Sequence, residues 1–445
     1  MEGTVTTVAL RSARSRRRRL LPYGIGFLGG VLLLVLINSV HGVLDRPAPL
    51  EPGDLMILSG TDRSVGQQRQ ALVDRWNAKH PRNHARIVTL PDSADLQHSA
   101  MISQAQQSRA QVDVYNLDVT WTAEFAAAGY IREFGDTDTR GFLAAPLTTC
   151  RFGGKLWALP FNTDAGLLYY RTDIFGKDDT GVLAQRPPSS QDMVTIAAKA
   201  KPVPGPTLKA GYATQLKRYE GLTVNALEAI WAVGGEVVSD DGRVTVDPDK
   251  VRQALAPLAQ GSKTVGTAPP SVLPDSDQND EQATAEAFAS GEVALMRNWP
   301  VWYGRLPQLS NGFDISSRFS VKPINHSVLG GQNLAVAADS THPAAAKALV
   351  EFLTSDANER ALFGLGGLPA TRANVYRDRD VNTRQPYAPV LFTAVSEARP
   401  RPVTTHYPLF SDTFQDVVDK ALHHDGRLPD DALRRLTNAL NGRLG

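Results

Sequence analysis

From Leu55 to Ile131 the chain alternates short β-rich runs with segments of helical period, and this alternation limits the fold more than any other feature. "LMILSG" reads as a strand ending at Gly60. "VGQQRQALVDRWNAKHP" follows, with Leu72, Val73 and Trp76 at helical spacing and Pro81 as a stop. "ARIVTL" is a second strand, "LQHSAMISQAQQS" a helix, "QVDVYNL" a half-buried strand ending at Asp118, and "WTAEFAAAGYI" a helix. Parallel strands need crossover connections, and helices supply them, so the pattern predicts an α/β lobe with substantial parallel sheet. Beyond Arg171 the chain becomes more helical, with "GLTVNALEAIWAVGG", "PAAAKALVEFLTS", "FSDTFQDVVDKALH" and "PDDALRRLTNAL", and a hairpin turning at Asp241-Gly242. At 445 residues the chain exceeds one ordinary core, and two lobes are expected.

The N-terminus has a different chemistry. "RSRRRRLLPYGIGFLGGVLLLVLINSVHG" sets an Arg run before an apolar stretch from Leu20 to Val40. A helix rises about 1.5 Å per residue, so this stretch reaches about 31 Å and can span a bilayer. The Arg side stays in the cytoplasm, which sends the body outside. The segment is read as an uncleaved anchor or as a signal cleaved near Val40-His41-Gly42, and it also fits a twin-arginine export signal loosely. Either way the body is exported. Residues 1–19 are then a basic cytoplasmic terminus, 20–42 the transmembrane or signal segment, and 43–54 a Pro-rich linker.

Charge and composition exclude several functions. Residues 1–46 hold seven Arg and two acids, leaving 40 basic against 44 acidic residues in the rest. A mildly acidic body argues against a nucleic-acid partner. The single cysteine, Cys150, permits neither an intramolecular disulfide nor a Cys-based zinc site. The nine histidines show no zinc-ligand spacing, and no nucleophile-elbow, phosphate-loop or dinucleotide motif occurs. Neither metal nor cofactor is expected.

"WALPFNTDAGLLYYR" (157–171) poses a sharper question. Asn162, Thr163 and Asp164 form a polar island inside an apolar run. One reading is a turn, since all three residue types make local turns. The other is a passage between two lobes that shows polar groups to a ligand.

"LDVTWTAEFAAAGYI", "GKLWALPFNTDAGLLYYRTDIF", "AFASGEVALMRNWP", "GGQNLAV" and "LPATR" occur in that order. Together they resemble the extracellular solute-binding proteins (family 1) of ABC sugar importers, in the maltose- and trehalose-type oligosaccharide-binding branch. The resemblance runs from about residue 55 to the C-terminus. It implies an α/β, two-lobed periplasmic-binding-protein fold of type II, preceded here by the N-terminal transmembrane or signal helix. Residues 55–160 and 298–350 would form lobe one, and 161–297 and 351–445 lobe two. The implied function is to bind a carbohydrate, an oligosaccharide or related polyol, in the interlobe cleft and to present it to ABC permease subunits, without enzymatic activity. The protein is expected to act as a monomer, either tethered to the cell membrane with an extracellular body or exported after signal cleavage. The alternatives are a membrane-tethered sensor of the same fold and a glycosidase using Asp118 and Asp164 as its acid and base.

The resemblance also implies a site. "ALPFNTDAGLLYY" is similar to the first crossing between lobes, with Asn162 and Asp164 facing sugar hydroxyls. An ionised carboxylate accepts two or more hydroxyl hydrogen bonds. "ALMRNWP" is similar to the second crossing, where Trp299 would stack on a pyranose. Asp118 follows a strand and precedes a helix, where ligands of open α/β sheets bind. Each has a plainer alternative: a helix cap for either aspartate, core packing for Trp299. Arg372 in "LPATR" matches a sugar-contacting Arg, or is a solvated surface residue. Asp62 and Gln67 lie in the first loop, where relatives use a polar or acidic residue. Asn333 contacts ligand or turns the chain. Gln332 departs from the pattern, because relatives often carry a Trp there.

Overall fold

A computed structural model describes residues 50–444 apart from 108–110, 136, 177–185, 202, 240 and 264–268. The expected N-terminal segment, 20–42, lies outside the described residues. Among those described, no helix is long and apolar enough to cross a membrane. Residues from Glu51 onward form one compact unit.

Two sheets organise that unit. The first contains β1 (Leu55–Ser59), β2 (Ala85–Thr89), β3 (Val114–Asp118), β4 (Leu159–Ala165) and β9 (Leu329–Val336), in the order β2-β1-β3-β9-β4. β1 pairs in parallel with β2 and β3, while β9 runs antiparallel to β3 and β4. The second contains β5 (Leu167–Arg171), β6 (Ala210–Ala213), β7 (Val293–Asn298) and β8 (Phe319–Pro323), in the order β8-β5-β7-β6. The expected alternation of strand and helix is present: α1 (Gln68–Lys79) joins β1 to β2, and α2 (Ala94–Ala105) joins β2 to β3.

Local chemistry explains these elements. Leu72, Val73 and Trp76 bury the inner face of α1, and the Trp76 indole N–H donates to the Asn83 carbonyl at 2.7 Å. In the second lobe α3 (Glu220–Ala232) is apolar on nearly every side because it is enclosed. α4 (Pro248–Gly261), α9 (Tyr407–His423) and α10 (Ala432–Leu440) surround it or one another and complete that core. α5 (Glu281–Ala289) packs beside β7.

The crossing between sheets is a single residue. β4 ends at Ala165, β5 begins at Leu167, and Gly166 lies between them. A Cβ at Gly166 would stand 2.7 Å from Nη2 of Arg297, so only glycine lets the crossing pass over that buried guanidinium. A second connection leads from β8 in the second sheet to β9 in the first. The lobe limits expected from sequence therefore shift. β8 puts part of 298–350 in the second sheet, whereas α6 (Pro343–Leu353) and α7 (Asp356–Gly366) pack with β9 and α1 of the first lobe. α8 (Ala388–Glu397) lies against both β8 and β4. Strand boundaries inside an apolar run leave little trace in hydropathy, which is why the sequence misplaced them.

Candidate functional site

The carboxyl ends of β1, β3 and β4 and the start of β9 meet at one edge of the first sheet. Register aligns three candidate residues there: Gln332 lies opposite Asp118 on one side and opposite Asn162 on the other. Directly paired residues of antiparallel strands share a face, so Asn162, Gln332 and Asp118 form one row. Asp164, two residues along β4, shares that face and stands opposite Gly330. A Cβ at Gly330 would lie 3.2 Å from both the Asp164 Cβ and the Trp299 ring. The missing side chain is what lets the Trp299 indole settle beside Asp164. Gly331, at φ +122°, and a register shift between Gln332 and Asn333 bend β9 at this edge.

Arg69 ties the row together. It is 5% exposed, sits in the first turn of α1, and donates through Nη2 to the Asn162 Oδ1 at 3.3 Å and to the Gln332 Oε1. Its Nη1 reaches the Ser59 hydroxyl at 3.4 Å, and its Nε has no partner among the described residues. Asn116, also buried, donates to the same Gln332 oxygen at 3.3 Å and to Ser59 at 2.8 Å. Burial lowers the Arg69 pKa despite the acids Asp62 and Asp164 nearby.

Asp164 is half-buried at the residue level, but its Oδ1 is closed to solvent and has no partner among the described residues. Its Oδ2 receives only a long bond from Asn162, at 3.4 Å. Burial pushes its pKa up to about 7, while Arg69 and Arg297 pull the other way. Next to it, Trp299 donates through Nε1 to Glu281 at 3.2 Å, and Arg297 lies 4.0 Å from the ring centroid. One face of the indole is therefore occupied by a guanidinium.

Asp118 makes a local turn and pairs with an arginine from elsewhere in the chain. Its Oδ1 accepts from the Thr120 amide at 3.0 Å and hydroxyl at 2.7 Å, as a turn-forming aspartate does. The same oxygen takes a 2.9 Å bond from Arg401, which is 5% exposed and donates to Glu220 at 2.6 Å. Glu220 begins α3 in the second lobe, so Arg401 joins the two lobes through a pair of carboxylates. Tyr407 and Ser411 also donate to Glu220, whose pKa is nevertheless raised by burial.

The remaining candidates have other surroundings. Asp62 spends Oδ1 on the Ser64 amide and hydroxyl and Oδ2 on the Arg69 amide at 2.9 Å, so it shapes the loop that presents Arg69. Gln67 is exposed on that loop at φ 50°. Asn333 is fully buried and donates to Thr122 and Thr149, because strand alternation turns it away from the row that holds Gln332. Arg372 donates to the Thr354 carbonyl at 2.7 Å, pairs with Asp356 and stacks 3.9 Å over Phe142. Neither Asn333 nor Arg372 joins the group around Asp164. Sequence reasoning missed Arg69, Asn116, Glu220 and Arg401. Arg69 did leave a signal: it precedes Leu72, Val73 and Trp76 by three, four and seven residues, a basic residue on an otherwise apolar stripe.

Two sheets are thus joined by a crossing beside which Arg69 Nε and Asp164 Oδ1 are buried without hydrogen-bond partners among the described residues. Residues 71–388 match the family model described as bacterial extracellular solute-binding protein. A probable ABC transporter-binding protein of Deinococcus radiodurans is 31% identical over 399 residues, covering 85% of this chain and 91% of the relative. Among solved structures, maltose-bound MalE3 of T. maritima aligns with a TM-score of 0.75 and 26% identity, over 87% of this chain and 99% of that one. The GacH receptor of Streptomyces glaucescens, solved unliganded and with acarbose, shares the fold at a TM-score of 0.71 and 22% identity, over 88% of this chain and 98% of that one. The chain belongs to the bacterial extracellular solute-binding protein family. The family and these relatives are binding proteins, not enzymes.

Proposed function

We propose that the protein binds a neutral carbohydrate, an oligosaccharide or related polyol, in the cleft between its sheets and presents it to ABC permease subunits. The observation that carries this reading is the group formed by Asp164, Asn162, Gln332, Arg69 and Trp299. It sets a buried donor, Arg69 Nε, and a buried acceptor, Asp164 Oδ1, both without partners among the described residues, beside a half-buried indole. Hydroxyls alternate donor and acceptor on a partly apolar ring, and these groups match that chemistry. Maltose in the similar MalE3 of T. maritima agrees with it. Asp118 and Arg401 extend the same wall toward the second lobe.

The protein works as a monomer, and the segment 20–42 either anchors the extracellular body or is removed on export. Calorimetry against a panel of neutral di- and trisaccharides and hexitols tests the ligand class. At least one should bind, and silence across the panel would overturn the carbohydrate reading. Protease added to spheroplasts should digest residues 47–445; a protected body would overturn the topology.

A further inference from the structure

We infer that Arg69 is a positioning residue that fixes Gln332 as a pure hydrogen-bond donor toward the ligand, so that this subsite selects for an acceptor atom. The inference rests on the carbohydrate reading and deepens it.

A glutamine side chain can turn either end outward, and which end a ligand meets depends on what holds the other. Guanidinium carries only donors. Arg69 Nη2 points at Gln332, so the end of Gln332 that faces it must be the carbonyl oxygen. Asn116 Nδ2 donates to that oxygen as well, at 3.3 Å. Two donors fill the two lone pairs of Oε1, and no accepting capacity remains. The amide nitrogen faces the other way with both hydrogens unspent among the described residues, and Gln332 is the half-exposed residue in a stretch of β9 whose neighbours are buried.

The same guanidinium nitrogen holds the Asn162 Oδ1 at 3.3 Å, which turns the Asn162 amide nitrogen toward the Asp164 Oδ2 at 3.4 Å. One buried cation thus sets the polarity of two neighbouring amides, and Asp164 is left as the acceptor of the group. Arg69 is itself held in place, because Asp62 accepts from its backbone amide at 2.9 Å and Ser59 from its Nη1 at 3.4 Å. A ligand oxygen seated against Gln332 must therefore accept, while a hydroxyl seated against Asp164 donates.

Fluorine separates these roles, since it can accept a hydrogen bond but cannot donate one. The test measures maltose, trehalose and their monodeoxyfluoro derivatives by calorimetry on the wild type, Gln332→Glu and Arg69→Met. In the wild type, at least one fluoro derivative should bind within about threefold of its parent sugar. Gln332→Glu has only acceptors when ionised, so that derivative should fall at least tenfold below its parent. Arg69→Met frees the Gln332 amide to turn, and the parent and fluoro affinities should separate again by threefold or more. Arg69→Lys, which keeps the charge but not the fork, serves if Arg69→Met fails to fold, and the same separation is expected. Identical ranking of parent and fluoro sugars in all forms would overturn the inference while leaving the carbohydrate reading intact. No binding of maltose, trehalose or any other panel sugar would overturn both.

Discussion

The two lobes each bury an arginine beside the cleft, and the two are treated in opposite ways. In the second lobe, Arg297 forms a forked pair with Glu228, at 2.7 Å and 3.1 Å, and both side chains are almost wholly enclosed. Glu228 also accepts from the Val328 amide at 3.0 Å. Burial works against the Arg297 charge, but Glu228 outweighs it and the pKa rises. In the first lobe, among the described residues, Arg69 has no carboxylate bonded to its guanidinium; its partners there are two amide oxygens and a hydroxyl, its Nε is empty, and its pKa falls. The Arg297 pair closes a core beneath the crossing at Gly166. Arg69 is a charge kept short of partners at the edge that holds the proposed site, and that shortage is what a ligand can relieve.

The contrast breaks most severely at Glu228. Glu228→Gln leaves the Arg297 charge buried and uncompensated, and losing one partner of a buried pair costs about 3–5 kcal/mol. Urea unfolding should show a loss of that size. A loss below about 1 kcal/mol would mean that Arg297 is no more committed than Arg69. Removing the Arg69 guanidinium breaks no bonded ion pair, so Arg69→Met should cost markedly less stability than Glu228→Gln in the same assay.

Next in size is Asp118. Its Oδ1 is shared by Thr120 and Arg401, and Oδ2 takes no hydrogen bond among the described residues. A charge-assisted bond from a ligand hydroxyl is worth about 1.5–3 kcal/mol, so Asp118→Ala should weaken sugar binding by about tenfold to a hundredfold. The melting temperature should move far less than for Glu228→Gln. A collapse in melting temperature would instead make the Asp118–Arg401–Glu220 chain the first-lobe counterpart of the Arg297 pair.

Asp164 sharpens the comparison through pH. Its folded pKa, about 7, lies above that of an unfolded aspartate, so the unfolded chain ionises first as pH rises. The stability linked to its proton is whole below about pH 4 and is lost as pH climbs toward 7. The residue is partly exposed, and screening reduces the effect to about 1 kcal/mol. Asp164→Asn removes it, and the melting-temperature difference, variant minus wild type, should grow between pH 4 and pH 7. A difference flat with pH would show that Asp164 is ionised throughout.

How far the sequence foretold this arrangement depends on the kind of signal. The α/β lobe was legible because parallel sheet imposes alternating periods, and the crossing was legible because Asn162, Thr163 and Asp164 interrupt an apolar run. Asp118, Asn162, Asp164, Trp299 and Gln332 lie in four separate segments, and the order of those segments is what singled them out as candidates. Asn333 was misjudged because adjacent residues of a strand face opposite sides, and sequence adjacency hides that. Arg372 was misjudged because Asp356 and Phe142, which hold it, are remote in sequence. Arg69 and Arg401 were missed because burial, not residue type, makes a charge informative.

The smallest expected effect lies at Gln332, where the family resemblance leads one to expect a tryptophan. An indole there would present a flat apolar face to a glucose ring, and an aromatic contact adds about 0.5–1.5 kcal/mol, or roughly threefold to tenfold in affinity. The structure adds a cost on the other side. Gln332 supplies one of the oxygens that Arg69 holds, and Asn116 shares it. Tryptophan has no acceptor to replace that oxygen. Gln332→Trp should therefore tighten maltose and trehalose relative to mannitol, which has no ring to stack, while lowering the unfolding free energy by about 1 kcal/mol as Arg69 loses a partner. Calorimetry with the three compounds and urea unfolding read the two effects separately. Equal changes for mannitol and the disaccharides would mean that residue 332 offers no stacking surface and that Trp299 supplies all of it. An unchanged unfolding free energy would mean that Arg69 finds another acceptor, and that its shortage of partners is less strict than its contrast with Arg297 implies.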